Sequence, residues 1–163
     1  TGDTVDLLSR AARTCVRHDF LVRGASTTAP AQHSDAFDSA HVCRAVVEAL
    51  PSGATLLLGN GTAVRDVDLG TRPSSVPLTV IHQRGTSGID GLIAMAAGAA
   101  SVDDSPLAAI VGDVSFQHDV GSLALLREAR GPFTLVVVDN GGGRIFDTLP
   151  LANAVDSETF DRF

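Results

Sequence analysis

The sequence predicts an α/β fold, a parallel β-sheet with helices on both faces, and three observations carry that reading. Apolar runs of strand length recur at 54–59 (ATLLLG), 107–112 (LAAIVG) and 133–138 (FTLVVV), with a weaker one at 78–82 (LTVIH). Their hydrophobicity is continuous rather than alternating, which marks strands buried on both faces. Helix-like segments at about 88–100 and 117–130 lie between them, each long enough to cross from one parallel strand to the next. At 163 residues the chain can also bury one substantial core.

Each element has its own warrant. Residues 4–16 (TVDLLSRAARTCV) have the apolar spacing of an amphipathic helix, and 24–35 (GASTTAPAQHSD) is a polar connection carrying Pro30. A boundary is therefore expected there, with residues 1–35 the end of a preceding domain or a linker and 36–163 the main domain. A helix over 36–50 is stopped by Pro51-Ser52-Gly53. Segment 88–100 is almost entirely small or apolar, so it can approach a sheet closely, and packing explains its glycines better than helix propensity does. The chain starts at Thr1 and its only methionine is Met95, so an excised or processed piece is expected.

The formal net charge of -7, from 19 acids and 12 bases with no Lys/Arg run, argues against binding a nucleic-acid backbone. No apolar stretch approaches the roughly 20 residues that span a bilayer, and no signal-peptide pattern opens the chain, so a cytoplasmic protein is expected. Cys15 and Cys43 do not make a disulfide framework. With His18 and His41 they form Cys-x2-His and His-x-Cys groups that could hold Zn²⁺, although both lie on helical apolar patterns where buried thiols are commonplace.

In open parallel sheets, ligands bind beyond the carboxyl ends of the strands. Those ends are Gly59-Asn60-Gly61-Thr62, with Arg65 close behind, then Arg84-Gly85-Thr86-Ser87-Gly88, Gly112-Asp113, and Asp139-Asn140-Gly141-Gly142-Gly143. Parallel neighbours would bring Asp113 and Asn140 to the same edge. Mg²⁺ takes oxygen ligands and is usually held by one or two protein groups plus phosphate and water, which Asp113, Asn140 and a carbonyl of the glycine run can satisfy. A diphosphate must lie against bare backbone, which Gly112 and Gly142 permit, and a helix starting near Ser115 turns N–H groups toward an anion. Taken singly, the Gly-Asp pair reads as a turn and N-cap, and Asn-Gly-Gly-Gly as a loop.

Taken together they resemble a known arrangement. Gly112-Asp113, followed by Asn140 twenty-seven positions after the Asp, resembles the thiamine-diphosphate motif that begins Gly-Asp-Gly and ends in paired asparagines. Val114 and Asp139 depart from it. The strings RGTSGIDGLIAMAAGAA (84–100), GDVSFQHDVGSLALLR (112–127) and DNGGGRIFDTLP (139–150) resemble one family. It is the menaquinone-pathway synthase that makes 2-succinyl-5-enolpyruvyl-6-hydroxy-3-cyclohexene-1-carboxylate from 2-oxoglutarate and isochorismate. The similarity runs from about residue 41 to 160, and residues 1–35 would then be the end of that family's central domain or a linker.

The resemblance implies a thiamine-diphosphate-binding fold in which 36–163 is the diphosphate- and Mg-binding domain, truncated at its C-terminus. It implies Asp113, Asn140 and the Gly142 carbonyl as ligands of Mg²⁺ or Mn²⁺. Gly112, Ser115, Gly142 and the backbone near Arg144 would contact the diphosphate, and Ile89 would support the bent cofactor. Arg65 and Arg84 would bind substrate carboxylates, a task suited to the guanidinium fork, with Ile145 and Phe146 against the ring substrate. Four departures stand out: Gly61 where the family has Ser, Gln83 for Asn, and Asp139 and Gly141 for asparagines. His118 and Asp119 suggest an acid/base pair, but their helical spacing reads as surface or packing.

The family's activating Glu comes from a pyrimidine-binding domain of the same or a neighbouring chain, and Glu48, Glu128 and Glu158 do not match its context. The fragment alone is therefore expected to be inactive, and the full-length protein to be a homodimer or homotetramer. Two other readings stay open: a module of another thiamine-diphosphate decarboxylase or carboligase, such as an acetolactate-synthase relative, and a non-catalytic α/β anion-binding module. A dinucleotide site is disfavoured, because no G-x-G-x-x-G joins a strand to a helix.

Overall fold

The structure, a computed structural model, describes residues 38–71, 74–83 and 88–160. The helix expected at 4–16, the boundary at 24–35, the Cys15-His18 pair and Arg84 lie outside the described residues.

Helix α1, Ser39–Ala49, begins where Asp38 caps it rather than at residue 36. The Asp38 carboxylate accepts the His41 N–H at 3.0 Å, and the Asp38 N–H donates back to His41 Nδ1 at 3.4 Å, a reciprocal capping box. Strand β1, Thr55–Leu58, then runs into Gly59-Asn60-Gly61-Thr62 and helix α2, Ala63–Gly70. The apolar runs do not announce α2, since Ala63 is its only buried residue among those described. Packing on α1 holds it, together with Arg44 Nε, which donates to the Gly70 carbonyl at 2.9 Å.

Strands β2 (Thr79–His82), β3 (Leu107–Gly112) and β4 (Phe133–Val138), with helix α3 (Leu92–Ala100) between β2 and β3, complete the sheet. Among the described residues it has the order β2-β1-β3-β4, and every pairing is parallel. The fold class is therefore the expected one, with helices on both faces. Leu56, Leu58, Ala108 and Ile110 meet Cys43 and Val47 of α1 and Ala63 of α2 on one side. Leu57, Leu107, Ala109 and Phe133 meet Ala96 and Ala100 of α3 on the other. Alternate residues of β1 and β3 thus feed two cores, which is why these strands are apolar at every position.

Several local expectations change. β4 reads like β3 in the sequence, yet only Phe133 is fully buried, because β4 is the last strand of the described sheet. β2 is the other edge and leaves Val80 exposed. Gly98 packs against nothing: a Cβ there would meet no atom within 4 Å, so close packing explains the alanines of α3 and not this glycine. The helix expected at 117–130 is replaced by α4, Asp113–His118, and a 3₁₀ segment, Val120–Glu128. The break falls at Asp119, whose side chain is engaged elsewhere, as shown below. Beyond β4 follow 3₁₀ turns at Arg144–Thr148 and Pro150–Asn153 and a short helix α5, Ser157–Phe160. Among the described residues no helix is long and apolar enough to cross a membrane.

Asp66 of α2 is pressed against α1, and its Oδ2 is buried without a hydrogen bond. Burial raises its pKa above the ordinary carboxylate value, against the opposing pull of Ser39 and Thr62, with Asp38 adding to the rise and Arg65 opposing it. The native carboxyl keeps its proton where the unfolded one has lost it, so stability falls as pH rises from the ordinary carboxylate pKa to the raised native value. Asp66→Asn removes the penalty. Urea unfolding at about pH 4 and about pH 7 should show the variant more stable than the parent at the higher pH only, and a difference between variant and parent that is the same at both pH values would contradict the assignment.

Candidate functional site

The chain leaves β1 toward β2 on one side and returns to place β3 on the other, so the sheet reverses direction between β1 and β3. A crevice forms at such a point beyond the carboxyl ends of the strands. Here its walls are Gly59-Asn60 and Gly112-Asp113. Gly59 is required by close approach, since a Cβ would lie 3.2 Å from the Ile110 carbonyl oxygen and 3.3 Å from Val111 Cα. Asn60 Nδ2 donates to the Gly88 carbonyl at 2.6 Å, while its Oδ1 is buried with no hydrogen-bond donor among the described residues.

The next pair of tips is tied more closely. Gly112 and Val138 are register partners, so β3 and β4 end level, and Asp113 and Asp139-Asn140 leave the sheet side by side. The Asp113 side chain is buried at the start of α4, where its Oδ2 accepts the Gly142 N–H at 2.8 Å. Asn140 Oδ1 accepts the N–H groups of Gly143 at 3.1 Å and Arg144 at 3.3 Å, and Asp139 Oδ1 accepts that of Gly141 at 2.9 Å. The loop can do this because Gly141, Gly142 and Gly143 all have positive φ, at 82°, 110° and 75°. Three consecutive left-handed residues are within reach of glycine and strongly disfavoured for anything else.

Above this floor there is room. A Cβ on Gly112, Gly141 or Gly142 would meet no atom within 4 Å. Ser115, one turn into α4, is buried beneath the same end. The helix starts at Asp113 rather than near Ser115 and has six residues, so its dipole is short and its first-turn charge is the Asp113 carboxylate.

The structure thus brings Gly112, Asp113, Ser115, Asn140 and Gly142 to one end of the sheet. Arg144 is exposed, with Nε donating to Asp147 Oδ2 at 2.6 Å; Ile145 is half-buried and Phe146 half-exposed on the 3₁₀ turn that follows. Ile89 is half-buried next to Gly88, just ahead of α3. Arg65 is exposed in the first turn of α2, and among the described residues no hydrogen bond or ion pair ties it to Asp113 or Asn140.

Sequence reasoning undervalued two groups, Asn60 and Asp119. Helix α3 has left-handed Gly91 at its N-cap position and no side chain of its own to cap it. Asp119 supplies the cap across space, its Oδ2 accepting the N–H groups of Ile93 at 2.7 Å and Ala94 at 3.0 Å. Burial works against ionisation of Asp119, but hydrogen bonds from Ser122, Ala94 and Ile93 outweigh it and hold the carboxyl below the usual range. No local signal points to Asp119, because the sequence offers Asp90, beside Gly91, as a nearer carboxylate. His118 lies exposed, 3.3 Å from Asp90.

The oxygens of Asp113 and Asn140 are donors of the kind a hard cation takes, but Asn140 Oδ1 would have to exchange its Gly143 and Arg144 N–H groups for the ion. Among the described residues there is no group of three His, Cys, Asp or Glu that could hold a metal ion. Of the two Zn²⁺ candidates, the described one reads as packing and capping: Cys43 is fully buried in the core against β1 and β3, and His41 is engaged with Asp38 at the start of α1.

Residues 68–150, just over half of the chain, match the family described as thiamine pyrophosphate enzyme, C-terminal TPP binding domain. The chain belongs to this family. Within the matched range lie Gly112, Asp113, Ser115, Asn140 and the glycine loop, so the thiamine pyrophosphate domain is the part of the chain that builds the strand-tip constellation. The chain is 46% identical over 115 residues to 2-succinyl-5-enolpyruvyl-6-hydroxy-3-cyclohexene-1-carboxylate synthase of Sorangium cellulosum, covering 68% of the chain and 19% of that protein. For the synthase of the same name from Myxococcus xanthus the identity is 37% over 140 residues, 86% of the chain and 24% of the relative. For that of Yersinia pseudotuberculosis it is 43% over 122 residues, 74% and 21%. The chain spans about a fifth to a quarter of the length of these curated relatives.

The glycines can be separated by their tasks. Gly142→Ala keeps the N–H to Asp113 but forces a side chain into positive φ, and should cost about 1–3 kcal/mol in chemical denaturation. Gly112 has φ -79° and open space around it, so Gly112→Ala should unfold within about 0.5 kcal/mol of the parent. Equal losses in the two variants would contradict this division.

Proposed function

We propose that this chain is the diphosphate- and Mg²⁺-binding module of a thiamine-diphosphate-dependent transferase of menaquinone biosynthesis. The complete protein decarboxylates 2-oxoglutarate and transfers the remaining unit to isochorismate. The observation that carries the reading is the latch between Asp113 and the Gly142 N–H, which sets a buried carboxylate against a left-handed glycine turn beneath open space. The names of the relatives support the particular reaction.

In this reading Asp113, Asn140 and the Gly142 carbonyl hold Mg²⁺ or Mn²⁺, and Gly112, Ser115, Gly142 and the Arg144 backbone receive the diphosphate. Ile89 supports the cofactor's rings. Thiamine diphosphate supplies the electron sink for decarboxylating a 2-oxo acid. The chain's own residues supply binding and orientation. Both substrates carry carboxylates, which Arg65 and Arg84 engage, and Ile145 and Phe146 offer apolar surface to the ring substrate. Gly61 stands where a hydroxyl would otherwise donate to the diphosphate, which weakens that grip.

Glu48, Glu128 and Glu158 are exposed and sit on α1, at the end of the 3₁₀ segment and on α5. The cofactor-activating carboxylate therefore comes from a pyrimidine-binding domain of the same or a neighbouring chain, in a cytoplasmic homodimer or homotetramer. This polypeptide by itself has no turnover.

Thermal unfolding with thiamine diphosphate and Mg²⁺ tests the reading. Ligand at about 100 times its Kd should stabilise the folded state by about 2.7 kcal/mol, and Asp113→Ala should abolish the response. Gly112→Ala should lose it while keeping the parent's intrinsic stability. Decarboxylation of 2-oxoglutarate by the isolated chain would refute the claim of inactivity. Turnover of pyruvate instead, by the complete protein, would move the assignment to an acetolactate-synthase-like enzyme, and stabilisation by another nucleotide alone would make this a non-catalytic anion-binding module.

A further inference from the structure

The turn that carries Ile89 is held at both ends by side chains from other parts of the fold. At its leading end Asn60, on the tip of β1, donates Nδ2 to the Gly88 carbonyl at 2.6 Å. At its trailing end the N–H groups of Ile93 and Ala94 are bound by Asp119 Oδ2 at 2.7 and 3.0 Å. Between these points the backbone passes through left-handed Gly91, which offers α3 no side-chain cap. Among the described residues the turn is also touched by Gln83, whose Nε2 donates to the Gly91 carbonyl at 3.4 Å, and by His118, 3.3 Å from Asp90. The helix N–H groups of Ile93 and Ala94, however, are bound by Asp119. Asp119 is in turn oriented by Ser122, whose hydroxyl donates to its other oxygen.

Asn60, directly after Gly59, lies on one of the strand tips that bound the crevice, and Asp119 ends the short helix that starts at the other. A displacement of either anchor is thereby transmitted to the Ile89 turn, through two charge-assisted hydrogen bonds from Asp119 and one hydrogen bond from Asn60.

We propose that Asn60 and Asp119 are positioning residues that clamp the Ile89 turn, so that Ile89 meets the rings of the cofactor in one fixed place. The assignment rests on the thiamine-diphosphate reading above. Asn60 and Asp119 act through Ile89. Their loss weakens recognition of the ring portion of the ligand and spares the diphosphate portion, whereas general damage to the fold would weaken both.

The experiment uses the complete protein that carries this chain, with Mg²⁺ present, and titrates thiamine diphosphate and inorganic diphosphate separately by calorimetry. Asp119→Ala and Asn60→Ala should each raise the Kd for thiamine diphosphate about tenfold while leaving that for diphosphate within about twofold. Asp119→Asn, which keeps one acceptor oxygen, should recover most of the lost affinity. Hydrogen exchange gives a readout independent of any ligand: the Ile93 and Ala94 amides should exchange at least about tenfold faster in Asp119→Ala than in the parent or in Asp119→Asn. Equal loss of affinity for both ligands, or amide protection unchanged in Asp119→Ala, overturns the clamp alone. A parent protein that binds thiamine diphosphate no better than diphosphate overturns the cofactor reading, and the clamp's role with it.

Discussion

The level ending of β3 and β4 is the constraint on which the rest depends. Because the two strands are parallel neighbours with Gly112 opposite Val138, the residues that leave them emerge at the same height and only a strand's width apart. That spacing lets the Asp113 carboxylate reach the Gly142 N–H at 2.8 Å. Shifting the register by one residue would turn Asp113 to the opposite face and leave a buried carboxylate without its donor, a cost that defends the register as strongly as the hydrophobic pattern does.

Around that pair the fold spends its small residues where backbone must come close. The alanines of β3 and α3 let helix and sheet approach, and Gly59 brings the β1 tip against the end of β3. The glycine loop after β4 differs in kind. Its residues are small because the chain turns left-handed three times in succession, which directs successive N–H groups back to Asp139, Asp113 and Asn140. The floor of the crevice is therefore backbone, held in shape by three side-chain oxygens from the two strand tips.

Legibility in the sequence followed the scale of the interactions. Strands β1 and β3 were readable because both faces are buried and every residue is apolar. β3 and β4 were located to the residue, but the exposure of β4 was not, since whether a strand is central or at an edge depends on its neighbours. Helix α2 escaped notice because packing against α1 and a hydrogen bond from Arg44 hold it, and its own apolar content is slight. The 3₁₀ segment after Asp119 was read as α-helix because its leucines recur at helical spacing. The break arises from a carboxylate committed to another helix 26 residues earlier, and no local pattern records such a commitment. Among the site residues, the strand-tip set was legible because parallel topology converts position in sequence into position at one edge. Asn60 and Asp119 were missed because their importance lies in what they hold, Gly88 and the start of α3.

The amino-acid sequence by itself determined the α/β class, the four strands, the membership in a thiamine pyrophosphate enzyme family, and the placing of Gly112, Asp113, Asn140 and the glycine run at strand ends. These follow from hydrophobic period and from chain order, both of which act over a few residues. Only the tertiary structure decided that β2 and β4 lie at the edges, that Asp113 is latched to Gly142, and that α3 is capped by a carboxylate from beyond β3. Those outcomes depend on which segments become neighbours across the sheet, and hydrogen bonds formed at such distances leave no periodic trace in the chain.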